Sequence, residues 1–464
     1  MLLLRKLLVY QQEFDSMHAD TAEKNISLYE DLTQIVQYNG KSIRVWDRAI
    51  AQALRDADSI YMPDREEPYY IYETIVLSSR KSLRLDQSTE IRAVPGMVTA
   101  MLRNENLQPG NQYAESEKVP PDCGISVSGG IWSASMEENP AYCGSYDLEN
   151  SVTGMWGTFV FSNVRDLKIK DLEIRDTTCF CIQLGNAEQV EVSGLSFRNC
   201  RSDGLHLNGP LKDVHAYNLV NCGTGDDFIA LNAWDWVHSH VTAGSIENVV
   251  VEDSECRSGY NCIRLLAGEK RYFDGTVREC AIRNVTIQNM QNVRNFKMYA
   301  QGFRGTQEKL KVGKMEKICI RNIHGLRKMN TIPFDPPYYG QKDRSAPFEI
   351  LADVDELILE DLHGDFDFSE NPVVAAVGPL AFTGCVKAGD DPFFAKELFP
   401  AHLSCEVKTL CIGPVFDLNG NRAAEPEKLV CAFQLSPRPD YTPGKDLTRG
   451  GTGQGKVASI IGKK

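Results

Sequence analysis

Residues 1–55 place apolar side chains at three- and four-residue spacing, most clearly from Asp15 to Tyr38 and in VWDRAIAQALRDA (45–57). That is the pattern of helices burying one face. From Ser59 the period falls to two. SIYMPD, YYIYETIVL, SLRLD, TEIRAV, TAMLRN and GISVSGGIW (124–132) predict short strands broken by Pro, Gly and charged turns. Residues 104–122 and 133–155 are rich in Asn, Glu, Pro, Gly and Tyr, and read as loops.

From 160 to about 365 the alternation repeats. DLKIKDLEI begins at 166, QVEVSGLSF at 189, DVHAYNLV at 213, NVVVEDSE at 248, NVTIQNM at 284, KICIRNI at 317 and ELILEDL at 356, in steps of 23, 24, 35, 36, 33 and 39 residues. A second run follows the early ones: CFCIQLGN, DGLHLNGP, DDFIALNA, NCIRLLAG and NFKMYAQG. Two or three short strands per unit, lengthened by loop insertion, predict an all-β fold, a single-stranded right-handed parallel β-helix. Its apolar positions stack inward and its longer coils emerge as loops that wall a groove. An amphipathic helix before the first strands suits a cap on the open core, because a stacked repeat needs its end covered. The predicted organisation is a helical cap over 1–58, the β-helix over 59–380, and C-terminal strands with an irregular tail over 381–464. In that last part DDPFFAKELFP predicts a short helix and LSCEVKTLCIGPVF and KLVCAFQL closing strands. SPRPDYTPGKDLTRGGTGQGK predicts a loosely ordered tail.

The net charge of −13 offers no basic excess to neutralise phosphates, which argues against a nucleic-acid partner. No run approaches the ~20 apolar residues of a membrane span. Arg5 and Lys6 interrupt MLLLRKLLVYQQEF and no small-residue cleavage site follows, so the expected location is cytoplasmic. The fourteen cysteines then read as reduced and buried. Cys179, Cys200, Cys222 and Cys256 fall near strand ends without the C-x-x-C spacing of a zinc site. No phosphate-binding or dinucleotide fingerprint occurs, and no metal or cofactor is expected.

The chemistry concentrates in CRSDGLHLNGPLKDVHAYNLVNCGTGDDFIALNA (200–233), where Asp203 and the doublet Asp226–Asp227 head two successive strand runs. An offset of 23 residues from Asp203 to Asp226 approximates one coil. Stacking would bring them roughly 5 Å apart, the spacing of adjacent strands. Hydrolysis of a glycosidic bond needs a carboxylic acid beside the leaving oxygen and a carboxylate to activate water. Clustered aspartates supply both, because their repulsion raises one pKa. A single Asp-Gly is an ordinary turn; a doublet one coil from another Asp points to catalysis.

GTGDDFIALN and RSDGLHLN resemble the second and first motifs of the polygalacturonase-type glycoside hydrolases (family 28), within the pectate-lyase-like β-helix group. In the first motif Arg201 and Ser202 stand in place of Asn-Thr. RSGYNCIRLLAG aligns with the third motif, Tyr260 standing where the family has histidine, and Asn295-Phe296-Lys297 replaces the Arg-Ile-Lys of the fourth. The resemblance implies Asp226 as general acid, Asp203 and Asp227 holding and deprotonating the attacking water, and Lys297 gripping the substrate. Adjacent strand residues point to opposite faces, so Asp226 and Asp227 must straddle a turn to serve one site.

Further candidates surround these. His206 is either a polar cleft residue or a satisfied coil histidine. Arg264, a charge in an apolar run, is either a substrate contact or an ion-pair partner. Trp234 and Trp236 suit sugar stacking or loop packing. Asn232, closing the GDDFIALN run, counts with the substrate contacts, and Tyr260 either hydrogen-bonds substrate or caps a coil. The expected function is hydrolysis of an oligo- or polysaccharide by inversion, with a carbohydrate as the partner. A uronan lyase of the same fold, using Arg264 or Lys297 as base with Ca²⁺ on the aspartates, and a non-catalytic carbohydrate-binding β-helix are the alternatives.

Overall fold

The computed structural model describes residues 23–97, 100–107, 119–138, 157–234, 241–257, 263–271, 277–302, 314–327, 346–366, 373–377, 402–435 and 452–462. Short strands wind into coils whose successive turns pair in parallel register. Each complete coil contributes three strand faces. One carries Ile182, Leu205, Ile229, Ile263, Phe296 and Phe348 inward in a single column. A second carries Leu167, Val190, Val214, Val249, Val285, Ile318 and Leu357. Leu172, Leu195 and Leu219 close the third side of the same buried cluster. These columns are the repeats of the sequence, and the fold is a right-handed parallel β-helix.

The corners explain why the repeats begin where they do. Asp166, Gln189, Asp213, Asn248 and Asn284 hold φ of 52°, 58°, 56°, 57° and 52°, and Asp171, Asn218, Asp253 and Asn289 do the same five residues on. A left-handed residue at each end turns a short strand into the next face. Asn and Asp tolerate it better than other L residues because their short polar groups bond locally. The side chains also stack: Asn284 Nδ2 donates to Asn248 Oδ1 at 3.2 Å and Asn248 Nδ2 to Asp213 Oδ1 at 2.8 Å.

The helix Asp47–Asp56 buries Ala49, Ile50, Ala53 and Leu54, one face of its length, over the first coil. Trp46 beneath it lies edge-to-face on Tyr69 at 4.7 Å. The helix expected over Asp15–Tyr38 does not form across its described part. Ile26–Leu32 is a 3-10 helix, and Gln34–Tyr38 pairs antiparallel with Lys41–Val45. Asn39 and Gly40, both at positive φ (47° and 75°), make the tight turn. An Asn-Gly pair between alternating apolar positions is a hairpin signal that overrides the helical spacing.

At the other end the coils continue. His402–Ile412 stacks on Asp353–Asp365, Val430–Leu435 on Val374–Val377, and Thr452–Val457 pairs with His402–Val407. All but the last residue of Thr452–Val457 lies inside the stretch expected to be a loose tail. The expected helix DDPFFAKELFP falls outside the described residues. Among the described residues no helix is long and apolar enough to cross a membrane.

Candidate active site

Asp203 and Asp227 lie two residues ahead of the stacked strand starts Leu205 and Ile229. The neighbour of Asp203 on the next coil is therefore Asp227, and Asp226 falls level with Ser202. The register is one residue longer than the offset of 23 expected from the sequence. Gly204 N–H donates to the Asp227 carbonyl at 2.9 Å, and a Cβ on Gly204 would stand 2.7 Å from the Phe228 carbonyl oxygen, so glycine permits this approach. Upstream, Asn221 Oδ1 accepts from the Gly223 and Thr224 N–H groups at 2.9 Å, and Thr224 Oγ1 donates to the Asp226 carbonyl. This turn precedes the strand, so the doublet escapes the alternation of side chains and both carboxylates join the same patch.

Oxygens of Asp203, Asp226 and Asp227 lie within 4.8 Å of one another. Asp203 and Asp227 are fully buried, whereas Asp226 is half-buried and forms the open side of the cluster. Burial pushes the Asp227 carboxyl well above the ordinary carboxylate range. Arg264 opposes that shift, and Asp226 and Asp203 reinforce it. Burial thus favours the neutral form of Asp227. Arg264 reaches in from the following coil: its Nε is 2.7 Å from Asp227 Oδ2 and its Nη2 3.5 Å from Asp203 Oδ2. Strand pairing sets Lys297, itself buried, beside Arg264. The same three carboxylates are the group that could hold a cation. The guanidinium already supplies positive charge at two of them.

Three candidates take positions other than substrate contact. His206 is fully buried, its ring stacked on Phe180 at 3.8 Å, with Nδ1 2.6 Å from Asp203 Oδ2. It supports Asp203. Asn232 is also fully buried, its carbonyl accepting from Asn208 Nδ2 at 3.4 Å. Trp234 is 3% exposed within the main hydrophobic cluster, so its ring packs and presents no face to a sugar. Val241 packs with Ala100, Leu107 and Val160 in a separate apolar cluster, and its N–H donates to Asn208 Oδ1 at 3.1 Å. Trp236 and Tyr260 lie outside the described residues.

Gln183, Asn208 and Phe180 were not singled out by their sequence context. Gln183 Nε2 donates to Asn208 Oδ1 at 3.2 Å, and Asn208 Nδ2 approaches His206 Nε2 at 3.2 Å. The available signal was polar residues at alternate positions of CIQLGN and LHLNGP, where outward side chains would ordinarily be solvated.

Coils in parallel register with three carboxylates gathered on one outer face define a right-handed parallel β-helix protein with an acidic site. No family model and no curated protein matches the chain. Among solved structures, the N-terminal fragment of bacteriophage Phi29 gene product 12 aligns over 90% of this chain and 65% of its own, at 13% identity and a TM-score of 0.50. The hyperthermoactive exopolygalacturonase of Thermotoga maritima aligns over 87% and 93%, at 12% identity and 0.47. PfbA, a surface adhesin of Streptococcus pneumoniae, aligns over 85% and 90%, at 12% identity and 0.47. Similarity at these identities concerns the fold.

Proposed function

We propose that the chain is a glycoside hydrolase acting on an oligo- or polysaccharide. The observation that carries this reading is the triad of carboxyl groups within 4.8 Å, two buried and one open to ligand, with Arg264 and Lys297 alongside. Asp226, on the open side, donates its proton to the leaving oxygen; Asp203 and Asp227 hold the attacking water, and Asp203 takes its proton. Both of the latter are shut from solvent, so substrate binding must draw the Arg264 bridge aside. The basic pair suits a sugar carrying a carboxylate. Inversion is the proposed outcome. The cluster is tighter than the roughly 6.5–9.5 Å between carboxyls in the general inverting scheme, which makes the first-formed anomer the measurement of stereochemistry.

The test is a panel of uronan and neutral oligosaccharides read by new reducing ends, with NMR of the first anomer. Asp226→Asn should lower turnover on a responsive glycan by about 10²–10⁴-fold. An unchanged rate, or no response from any glycan, overturns the reading. A product absorbing in the near ultraviolet would instead mark elimination. The Arg264 bridge specifically favours a second reading, a carbohydrate-binding β-helix in which the acids are structural. It predicts glycan binding by wild type and Asp226→Asn alike, without cleavage.

A further inference from the structure

We propose that His206 is a positioning residue that keeps Asp203 as the ionised member of the carboxylate cluster, through a buried relay of amides that dictates which ring nitrogen carries the proton. The catalytic part of this inference rests on the hydrolase reading; the assignment of the proton does not.

The argument starts from a group that cannot be turned around. The backbone N–H of Val241 donates to Asn208 Oδ1 at 3.1 Å, and Gln183 Nε2 donates to the same oxygen at 3.2 Å. Gly185 admits the segment that supplies this N–H, because a Cβ there would collide with Thr242 Oγ1 and Val241 Cγ1. With its oxygen so committed, Asn208 turns its NH₂ toward His206 Nε2 at 3.2 Å. An amide NH₂ only donates, so Nε2 bears the lone pair and the proton sits on Nδ1. Nδ1–H then donates to Asp203 Oδ2 at 2.6 Å, with the ring clamped by Phe180, whose plane lies 12° from it.

Asp203 also accepts from the Asp227 backbone N–H at 3.2 Å. Asp227 differs: Arg264 Nε lies 2.7 Å from its Oδ2, but its Oδ1 faces no hydrogen-bond donor among the described residues. Donors aimed at a carboxylate stabilise its charge, and a buried oxygen without one favours the neutral acid. A proton shared by the stacked pair therefore resides on Asp227, and the negative charge on Asp203. In turnover, the water oxygen bonds to the anomeric carbon as its proton passes to Asp203. The glycosidic C–O bond breaks as the leaving oxygen takes the proton of Asp226. Asp203 then returns its proton to solvent and Asp226 regains one.

The tautomer is measured on the full chain labelled with ¹⁵N-histidine. His206 is assigned by contacts to the Phe180 ring and by the loss of its signals in His206→Asn and His206→Gln. A neutral ring protonated on Nδ1 is expected. An Nε2–H tautomer or an imidazolium overturns the proposal, and this readout needs no activity; where neither variant folds, the Phe180 contacts alone assign the ring. In kinetics, His206→Gln should lower kcat by about 10–100-fold with KM unchanged, the effect of losing a hydrogen bond to a charged group. His206→Asn, whose amide nitrogen stands near the place of Nδ1, should recover much of that loss. Equal defects in two variants that melt like wild type would overturn the proposal. A wild-type protein that cleaves no glycan yet shows the Nδ1–H tautomer refutes the hydrolase reading and upholds the assignment of the proton.

Discussion

Two neighbouring columns on one strand face obey different rules. The inward column runs Phe159, Ile182, Leu205, Ile229, Ile263, Phe296, Phe348 and Val374, all fully buried. The outward column one residue on runs Val160, Gln183, His206, Ala230, Arg264 and Lys297. The first asks only for apolar volume, and any of several side chains fills a coil interior at roughly 1.5–3 kcal/mol of burial each. The second is specific at its four polar positions, because a buried polar atom must meet a named partner or cost free energy. Stacking thus yields a forgiving interior and an exacting outer face from the same backbone.

The largest test of that contrast sets one substitution in each column against the other. Phe296→Ala should cost about 3–5 kcal/mol through the cavity it leaves, whereas Phe296→Leu should cost less than about 1.5 kcal/mol. Arg264→Leu adds apolar surface yet should cost about 3–5 kcal/mol, because it strands two buried carboxyls. Thermal and urea melts measure all three. An Arg264→Leu protein as stable as wild type would erase the distinction between the columns.

A second contrast is in pH. The folded-state pKa of Asp227 is raised. Its buried carboxyl therefore carries no penalty below the unfolded value of about 3.9, and the penalty grows as pH rises through the folded value. Asp227→Asn removes the titration, so the melting temperature of the variant relative to wild type should climb as pH is raised above about 4. A difference independent of pH would show that Arg264 holds Asp227 ionised throughout. No such slope should follow from any substitution in the inward column.

The smallest expected effect belongs to the corners, which both columns share. Asn284→Ala places an alanine at φ 52° and cuts the ladder to Asn248, for a loss of about 1–2 kcal/mol. Asn284→Gly should lose less, since glycine adopts that φ freely. A melting series across wild type, Gly and Ala checks the order, and Ala equal to Gly would mean the corner is not strained.

The coil repeat was legible because its corner residues recur at fixed positions: the Asp, Gln, Asp, Asn and Asn that open successive runs are the left-handed residues themselves. The acidic cluster was legible for the same reason, since strand starts stack once the repeat is known. Its register was less so. Loop residues between Asp203 and Leu205 and between Asp227 and Ile229 set which aspartates face each other, and turn geometry is not periodic. The Asn39-Gly40 hairpin was readable in principle, but apolar residues at helical spacing around it gave the stronger pattern. The buried state of His206, Asn232 and Trp234 was not readable. It depends on contacts between coils, such as the ring of Phe180 on His206 and the N–H of Val241 on Asn208.

The sequence by itself determined the winding of the chain and the presence of three aspartates at neighbouring strand starts, because periodic burial and left-handed corners are local properties of side chains. Only the tertiary structure decided which two aspartates are buried, which nitrogen of His206 points at Asp203, and that Arg264 closes on the acids. Those outcomes turn on contacts between coils and covering loops, and hydrogen-bond direction and desolvation arise only when the groups are packed together.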